Sequence, residues 1–435
     1  MENGFLREIW KCLSQPTAVA AALLCVAALT AFAQPEAANG EEPWRVEARK
    51  RIAETRMGDL VVRVVDDAGK PAAGRPVRVA MTRHAFPWGT CVPAGRLTGE
   101  GPENETYRQH LRELFNCAVL ENDLKWNAWH GAYGPSFSRE NTRAALVWLK
   151  ENGFRVRGHT LAWPDWQYLL PEGEALAADP AALQRRILEH VDELAAFTKD
   201  FVYEWDVVNE PAHFDAVTRV LGPDAMKEWL VRARAALPPS CRLFVNEYNV
   251  VEPYEPGIPE KYAQIISGLL AAGAPLEGIG FQSHFGPTGT DPEGVLKTFD
   301  TFARFGLPIV VTEFDANIAD ETVQAAFTRD FMTAAFSHPA CQGFLFWGFW
   351  EGAHWRPQSA LFRKDWTEKP NLAAYRDLVF REWWTDVEGV TDANGELIVR
   401  GFKGAYRIHL GAQEQETAIG DAPARVGLTL GTPAK

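Results

Sequence analysis

The 435-residue sequence has no CxxC pair, no cysteine followed by histidine at metal-ligand spacing and no GxGxxG after a strand-like run. The first two absences argue against zinc, so no metal site is expected. The third argues against a dinucleotide, so no cofactor is expected. Basic residues are outnumbered, 44 Lys and Arg against 57 Asp and Glu, for a net charge of -13. No basic cluster could neutralise phosphates, which argues against nucleic acid or an anionic membrane as partner. Only 23% of residues are charged while 46% are hydrophobic, so the chain can bury a large core. What is plentiful is tryptophan, 16 in all, whose ring faces suit the apolar faces of sugar rings.

At the amino end Arg7 and Lys11 precede an apolar run from Ala18 to Phe32, closed by Ala31-Phe32-Ala33 before Gln34. This pattern predicts a signal peptide over residues 1–33, export to the periplasm or medium, and no membrane association after cleavage; an uncleaved anchor is the alternative. Cys12 and Cys25 would leave with it. Cys91, Cys117, Cys241 and Cys341 remain, which permits disulfides without prescribing them. Residues 34–57 read as a linker and short helix. Residues 58–81 then alternate on both sides of an Asp67-Ala68-Gly69-Lys70-Pro71 turn, and residues 390–410 repeat that turn chemistry. Each fragment is too small to bury a face alone, so segments 58–85 and 387–435 are expected to pair into one small β-sandwich.

Between them, residues 86–386 count to eight. Strand-like runs at Pro87–Val92, Ala118–Glu121, Val156–Ala162, Tyr203–Asn209, Arg242–Asn246, Gly278–His284, Pro308–Glu313 and Gly343–Gly348 each precede a helix-like stretch. Asp179-Pro180 and Asp291-Pro292 announce helix starts, and Gly153, Gly273 and Gly306 mark stops. Eight such units in about 280 residues match an α/β fold of the (β/α)8 TIM-barrel type better than an open doubly wound sheet.

In such a barrel the strand exits converge on one face. They deliver Glu121, Asn122, Lys125 and Trp126 from the second strand, His159 and Trp163 from the third, Asn209 and Glu210 from the fourth, and Asn246 from the fifth. The sixth gives Gln282 and His284, the seventh Glu313 and Asp315, the eighth Trp347. Pro211 cannot continue a ladder, so Glu210 sits where its strand ends, and Glu313 closes a second β-branched run. Two strand-end carboxyls suggest paired-carboxylate chemistry, in which one group stays protonated and the other ionised.

Gly158-His159-Thr160-Leu161-Ala162-Trp163, Trp205-Asp206-Val207-Val208-Asn209-Glu210, Gly280-Phe281-Gln282-Ser283-His284-Phe285 and Val311-Thr312-Glu313-Phe314-Asp315 resemble the strand-end motifs of glycoside hydrolase family 10, the endo-β-1,4-xylanases. The resemblance runs from about Phe86 to Trp384 and includes Trp347-Gly348, Trp355-Arg356 and Leu361-Phe362. It implies a retaining endo-acting hydrolase of xylan, with Glu210 as acid/base and Glu313 as nucleophile. It further implies that Asn209 holds the reacting sugar's 2-hydroxyl, and that Glu121, Asn122, Lys125, His159 and Trp163 hold sugars on the non-reducing side. Asn246, Gln282, Trp347 and Trp355 would line the site, and His284 with Asp315 would orient Glu313. The implied partner is a polysaccharide.

Two departures from the family pattern bear on specificity. Pro164-Asp165-Trp166 stands where the family has His, a polar residue and Gln, which predicts that Trp166 stacks near the reacting sugar. Val245 stands before Asn246 where the family often has Tyr, which predicts a weakened leaving-side platform. The alternatives are the same chemistry on another β-linked glycan, or a non-catalytic carbohydrate-binding protein.

Overall fold

The computed structural model describes residues 42–430, apart from 170 and 253. The signal-peptide reading of residues 1–33 lies outside the described residues.

The apolar runs form parallel strands β3 (Trp88–Val92), β4 (Cys117–Leu120), β5 (Arg155–Ala162), β6 (Val202–Asn209), β7 (Arg242–Glu247), β8 (Gly278–Phe281), β9 (His284–Phe285), β10 (Ile309–Ala316) and β11 (Cys341–Phe346). They pair in the order β3-β4-β5-β6-β7-β8-β10-β11, and β11 pairs back to β3 to close the ring. Strands buried on both faces read as continuous apolar runs, as these do. Helices between consecutive strands cover the outside, among them Arg139–Glu151, Pro180–Thr198, Ile258–Ala271 and Glu321–Ser337. The molecule is a (β/α)8 barrel. The caps work as the sequence suggests: the Asp179 and Asp291 carboxylates accept from the amides of Ala182 and Gly294. Gly153, Gly273 and Gly306 take φ of 70–72° just past their helices.

The sixth barrel position differs from the expected single run. It is split into β8 and β9, both paired to β10, with Ser283 between them at φ 68°. Ser283 interrupts the ladder, and the Gln282 amide is taken up by the Glu247 carbonyl of the neighbouring strand.

The segments outside the barrel interleave. β1 (Met57–Val65) lies between β13 (Glu396–Phe402) and β16 (Ala424–Thr429), and β2 (Pro76–His84) lies between β12 (Asp386–Val390) and β14 (Gly404–Leu410), with β15 (Gln413–Ile419) beyond. Alternation decides which side is inward: Leu60, Val62, Val64, Val77 and Val79 are buried, as are Val399, Tyr406, Ile408 and Leu428. The two sheets thus share an apolar layer that neither chain end could build alone. Arg56 ties this layer to the amino end of the barrel. Its buried guanidinium donates to the carbonyls of Phe336, His338 and Cys341 at 2.8, 2.7 and 2.6 Å. Cys91, Cys117, Cys241 and Cys341 are free and buried. No described helix is long and apolar enough to cross a membrane.

Candidate active site

The carboxyl ends of the strands open into a cleft of about 810 Å3. Its floor is set by charges inside the barrel. Arg157 on β5 is buried between Glu204 and Asp206 of β6, and Asp206 also takes His159 Nδ1 at 3.0 Å. Each buried charge here has an opposite partner, without which burial would cost several kcal/mol per ion. His159 is thereby held rigidly at the strand exit, its Nδ1 3.9 Å from Glu313 Oε1.

Glu210 and Glu313 both line the cleft. A chain of amides links them. Gln282 Nε2 donates to Glu210 Oε1 at 2.7 Å and reaches Asn209 Oδ1 at 3.4 Å; Asn246 Nδ2 donates to Asn209 Oδ1 at 2.9 Å and to Glu313 Oε1 at 2.7 Å. Asn246 is itself aimed by Thr312, whose hydroxyl donates to Asn246 Oδ1 at 2.7 Å. Gly280 makes room, because a Cβ there would collide with Asn246 Oδ1. Trp163 Nε1 donates to Glu210 Oε2 at 3.0 Å. On the far side His284 brings Nε2 to 3.3 Å from Glu313 Oε2, and its Nδ1 lies 2.9 Å from Asp315 Oδ2. Asp315 also accepts from Trp355 Nε1 at 2.7 Å and Arg356 Nη1 at 3.1 Å.

These surroundings separate the two carboxyls. Burial pushes Glu210 up to about 8, helped by the charges of Glu247 and Glu313 and opposed by the Gln282 hydrogen bond. Burial would raise Glu313 too, but His159, His284 and Lys125 outweigh it and hold it down at about 2. Burial disfavours the charged form of His284, yet Asp315 and then Glu313 hold it up at about 10. Near neutral pH this pair therefore consists of one carboxylic acid and one carboxylate.

The walls contain most of the residues expected from the sequence. Glu121, Asn122, Lys125, His159, Trp163, Gln282, His284, Trp347 and Trp355 all line the cleft. Lys125 Nζ is bonded to Asn122 Oδ1 at 2.9 Å and stands 5.6 and 5.7 Å from the Trp163 and Trp347 rings. Burial raises the Glu121 carboxyl. Asn209, Asn246 and Asp315 lie beneath the surface, buried, and act through the bonds just given. Asn209 Nδ2 is a buried donor with no partner among the described residues.

Two expectations fail. Trp166 does not line the cleft; Tyr168, two residues on in the same short turn, stacks on Trp163 with centroids 3.5 Å apart and does. Val245 is wholly buried, its carbonyl accepting from the Tyr262 hydroxyl, so it neither offers nor denies a sugar platform. Of the loop after that strand, Tyr248 and Tyr254 are the aromatics that line the cleft. Phe214, Glu255 and Arg356 line it as well. Arg356 is adjacent to Trp355 in the sequence, and Tyr248 follows Asn246 by two; those neighbours were the available signal.

One group of possible metal ligands occurs among the described residues, His130, His190 and Glu193. Arg186 Nη2 stands 3.0 Å from His130 Nε2 and Arg139 Nη2 stands 3.5 Å from Glu193 Oε2, so a cation there would meet two guanidiniums.

Known proteins resemble this chain in sequence and in fold. The profile of Glycosyl hydrolase family 10 matches residues 78–378. An anti-sigma-I factor of Acetivibrio thermocellus is 30% identical over 84% of this chain, and endo-1,4-beta-xylanase 2 of Arabidopsis thaliana 29% identical over 79%. The chain spans 46% and 31% of the lengths of these relatives. Among solved structures, xylanase 10B from Thermotoga petrophila in complex with xylobiose superimposes with a TM-score of 0.62 at 23% identity, covering 68% of this chain and 94% of that one.

Proposed function

The chain belongs to glycosyl hydrolase family 10, and from that premise we propose that it is a retaining, endo-acting hydrolase of β-1,4-xylan, with Glu313 as nucleophile and Glu210 as acid/base. The observation that carries the reading is the pair of glutamates in one cleft with opposite protonation preferences. In the first step Glu313 attacks the anomeric carbon while Glu210 gives its proton to the departing glycosidic oxygen. Forming the ester removes the charge of Glu313, one of the two carboxylate charges that keep Glu210 protonated. Glu210 can then ionise, take a proton from water and direct the resulting hydroxide to the same carbon, which releases Glu313. Neither step calls on a metal or cofactor. The buried, unpartnered Nδ2 of Asn209 supports a bond to a hydroxyl of the reacting sugar, since a buried donor left unmade costs about 1–3 kcal/mol.

Xylan as substrate is supported by relatives described as endo-1,4-beta-xylanases and by the likeness to a xylanase solved with xylobiose. The test is incubation with xylan, mixed-linkage glucan and cellulose, with sizing of products. Mixed xylo-oligosaccharides from xylan are expected; no release from xylan contradicts the reading, and release from glucan alone moves it to another β-glycan. We also propose export through residues 1–33, for which the sequence pattern is the support. Amino-terminal sequencing of the secreted protein should start at Gln34, and an intact Met1 would contradict cleavage.

A further inference from the structure

The loop that follows Glu210 is tied down by charge. Glu210 itself lies at φ 56°, in the left-handed region, which costs a residue with a side chain about 1–2 kcal/mol. Its amide donates to the Asn246 carbonyl at 2.7 Å, and two residues later the Ala212 amide donates to Glu247 Oε2 at 2.6 Å. Glu247 ends β7 and is wholly buried. Its Oε1 takes His213 Nδ1 at 2.7 Å and the Tyr248 amide at 3.0 Å. His213 in turn brings Nε2 to 3.3 Å from Glu255 Oε2 at the cleft wall and lies flat on Tyr248, ring centroids 3.6 Å apart. Glu247 does not line the cleft, and neither bond change needs it. An ionised carboxylate is costly to bury, but its two oxygens accept from two backbone amides and His213, which the single oxygen of an amide could not do.

We propose that Glu247 and His213 are a positioning pair for Glu210, which fixes the strained strand exit carrying the acid/base and sets a carboxyl group beside it. This rests on the reading of Glu210 as acid/base. The groups facing Glu210 are Glu247 and Tyr248 from β7 and its loop, Glu313 from β10, His284 from β9 and Tyr168 from the loop after β5. Both acids act on Glu210 in the same direction as burial, Glu247 more strongly than Glu313. Burial raises Glu247 itself, while the bond and charge of His213 and the amides of Ala212 and Tyr248 oppose that rise. The two members therefore work together: without His213 the buried carboxyl is pushed further toward its neutral form, and its field at Glu210 weakens.

The test is the pH profile of kcat/KM on β-1,4-xylotetraose, whose alkaline limb reports loss of the proton from Glu210 in the free enzyme. Glu247→Gln removes the charge directly and should move that limb down by about half a unit or more. His213→Phe keeps a ring on Tyr248 and should move it the same way, because Glu247 then loses the partner that favours its charged form. Glu247→Asp keeps the charge and should leave the limb in place even if the rate falls. Limbs unmoved in both Glu247→Gln and His213→Phe, with rates lowered or not, overturn the proposal while leaving the functional reading intact. No hydrolysis of xylotetraose by the unaltered protein at any pH overturns the functional reading, and this inference with it.

Discussion

Replacing Asp315 by asparagine removes one charge and almost no volume from the group that governs Glu313. Asp315 Oδ2 accepts from His284 Nδ1 at 2.9 Å and Trp355 Nε1 at 2.7 Å, and an asparagine oxygen could still serve both. What changes is the field, together with the bond from Arg356 Nη1 to Oδ1, which an amide nitrogen cannot accept. Burial works against a charged His284, and Asp315 is the larger of the two acids that reverse this, lifting the ring from 6.5 to about 10. That preference for the imidazolium is on the order of 5 kcal/mol. In Asp315→Asn burial prevails and His284 is neutral near pH 7. One neighbour that holds Glu313 at about 2 then loses its charge and bonds more weakly, and the Glu313 carboxyl moves up toward the ordinary range. The acid limb of kcat/KM on xylotetraose should rise by about one to two units, since protonated Glu313 cannot attack. At neutral pH the weakened hydrogen bond to Glu313 should lower kcat by about 10- to 100-fold, corresponding to about 1.5–3 kcal/mol for a bond to a charged group. Rates from about pH 3 to 8 check both effects. An unmoved acid limb with full kcat would refute the account of how Glu313 is kept ionised.

Other consequences follow from the same contacts. Arg56→Met strips three buried carbonyls of their donor and should cost on the order of 3–5 kcal/mol in denaturant unfolding, with kcat unchanged because Arg56 lies at the opposite end of the barrel. Deleting residues 390–430 removes both neighbours of β1 and should lower the melting temperature although both glutamates remain; an unchanged melting temperature speaks against the shared apolar layer. Tyr168→Ala exposes the face of Trp163 and should reduce kcat/KM on xylan more than Trp166→Ala does, as steady-state kinetics of the two variants will show.

The barrel was legible because each of its devices is local. β-branched runs, Asp-Pro starts and glycine stops follow one another along the chain, and strand exits must share a face once eight units are counted. Glu210 and Glu313 were legible because each closes an apolar run at a strand exit, although Glu247, which ends β7 in the same way, turns away from the cleft. Tyr168 and Tyr248 were not, since they stand in irregular loops where no period fixes side-chain direction. Trp166 was misjudged on that account. Val245 was misjudged against a rule that was available: neighbouring residues of a strand point to opposite sides, so if Asn246 faces the cleft Val245 cannot. The broken sixth strand depends on Ser283 taking a left-handed conformation, which serine rarely announces. The Glu247–His213 pair joins residues 34 apart, and no spacing within one element brings them together.

The central claim is double displacement at Glu313, and the anomeric configuration of the first product tests it most directly. Proton NMR of xylo-oligosaccharides released in the first minutes, before mutarotation, should show the β-anomer, because two inversions at one carbon restore the starting configuration. An α-anomer as first product would mean that water attacks directly with Glu313 as base, and would contradict the account.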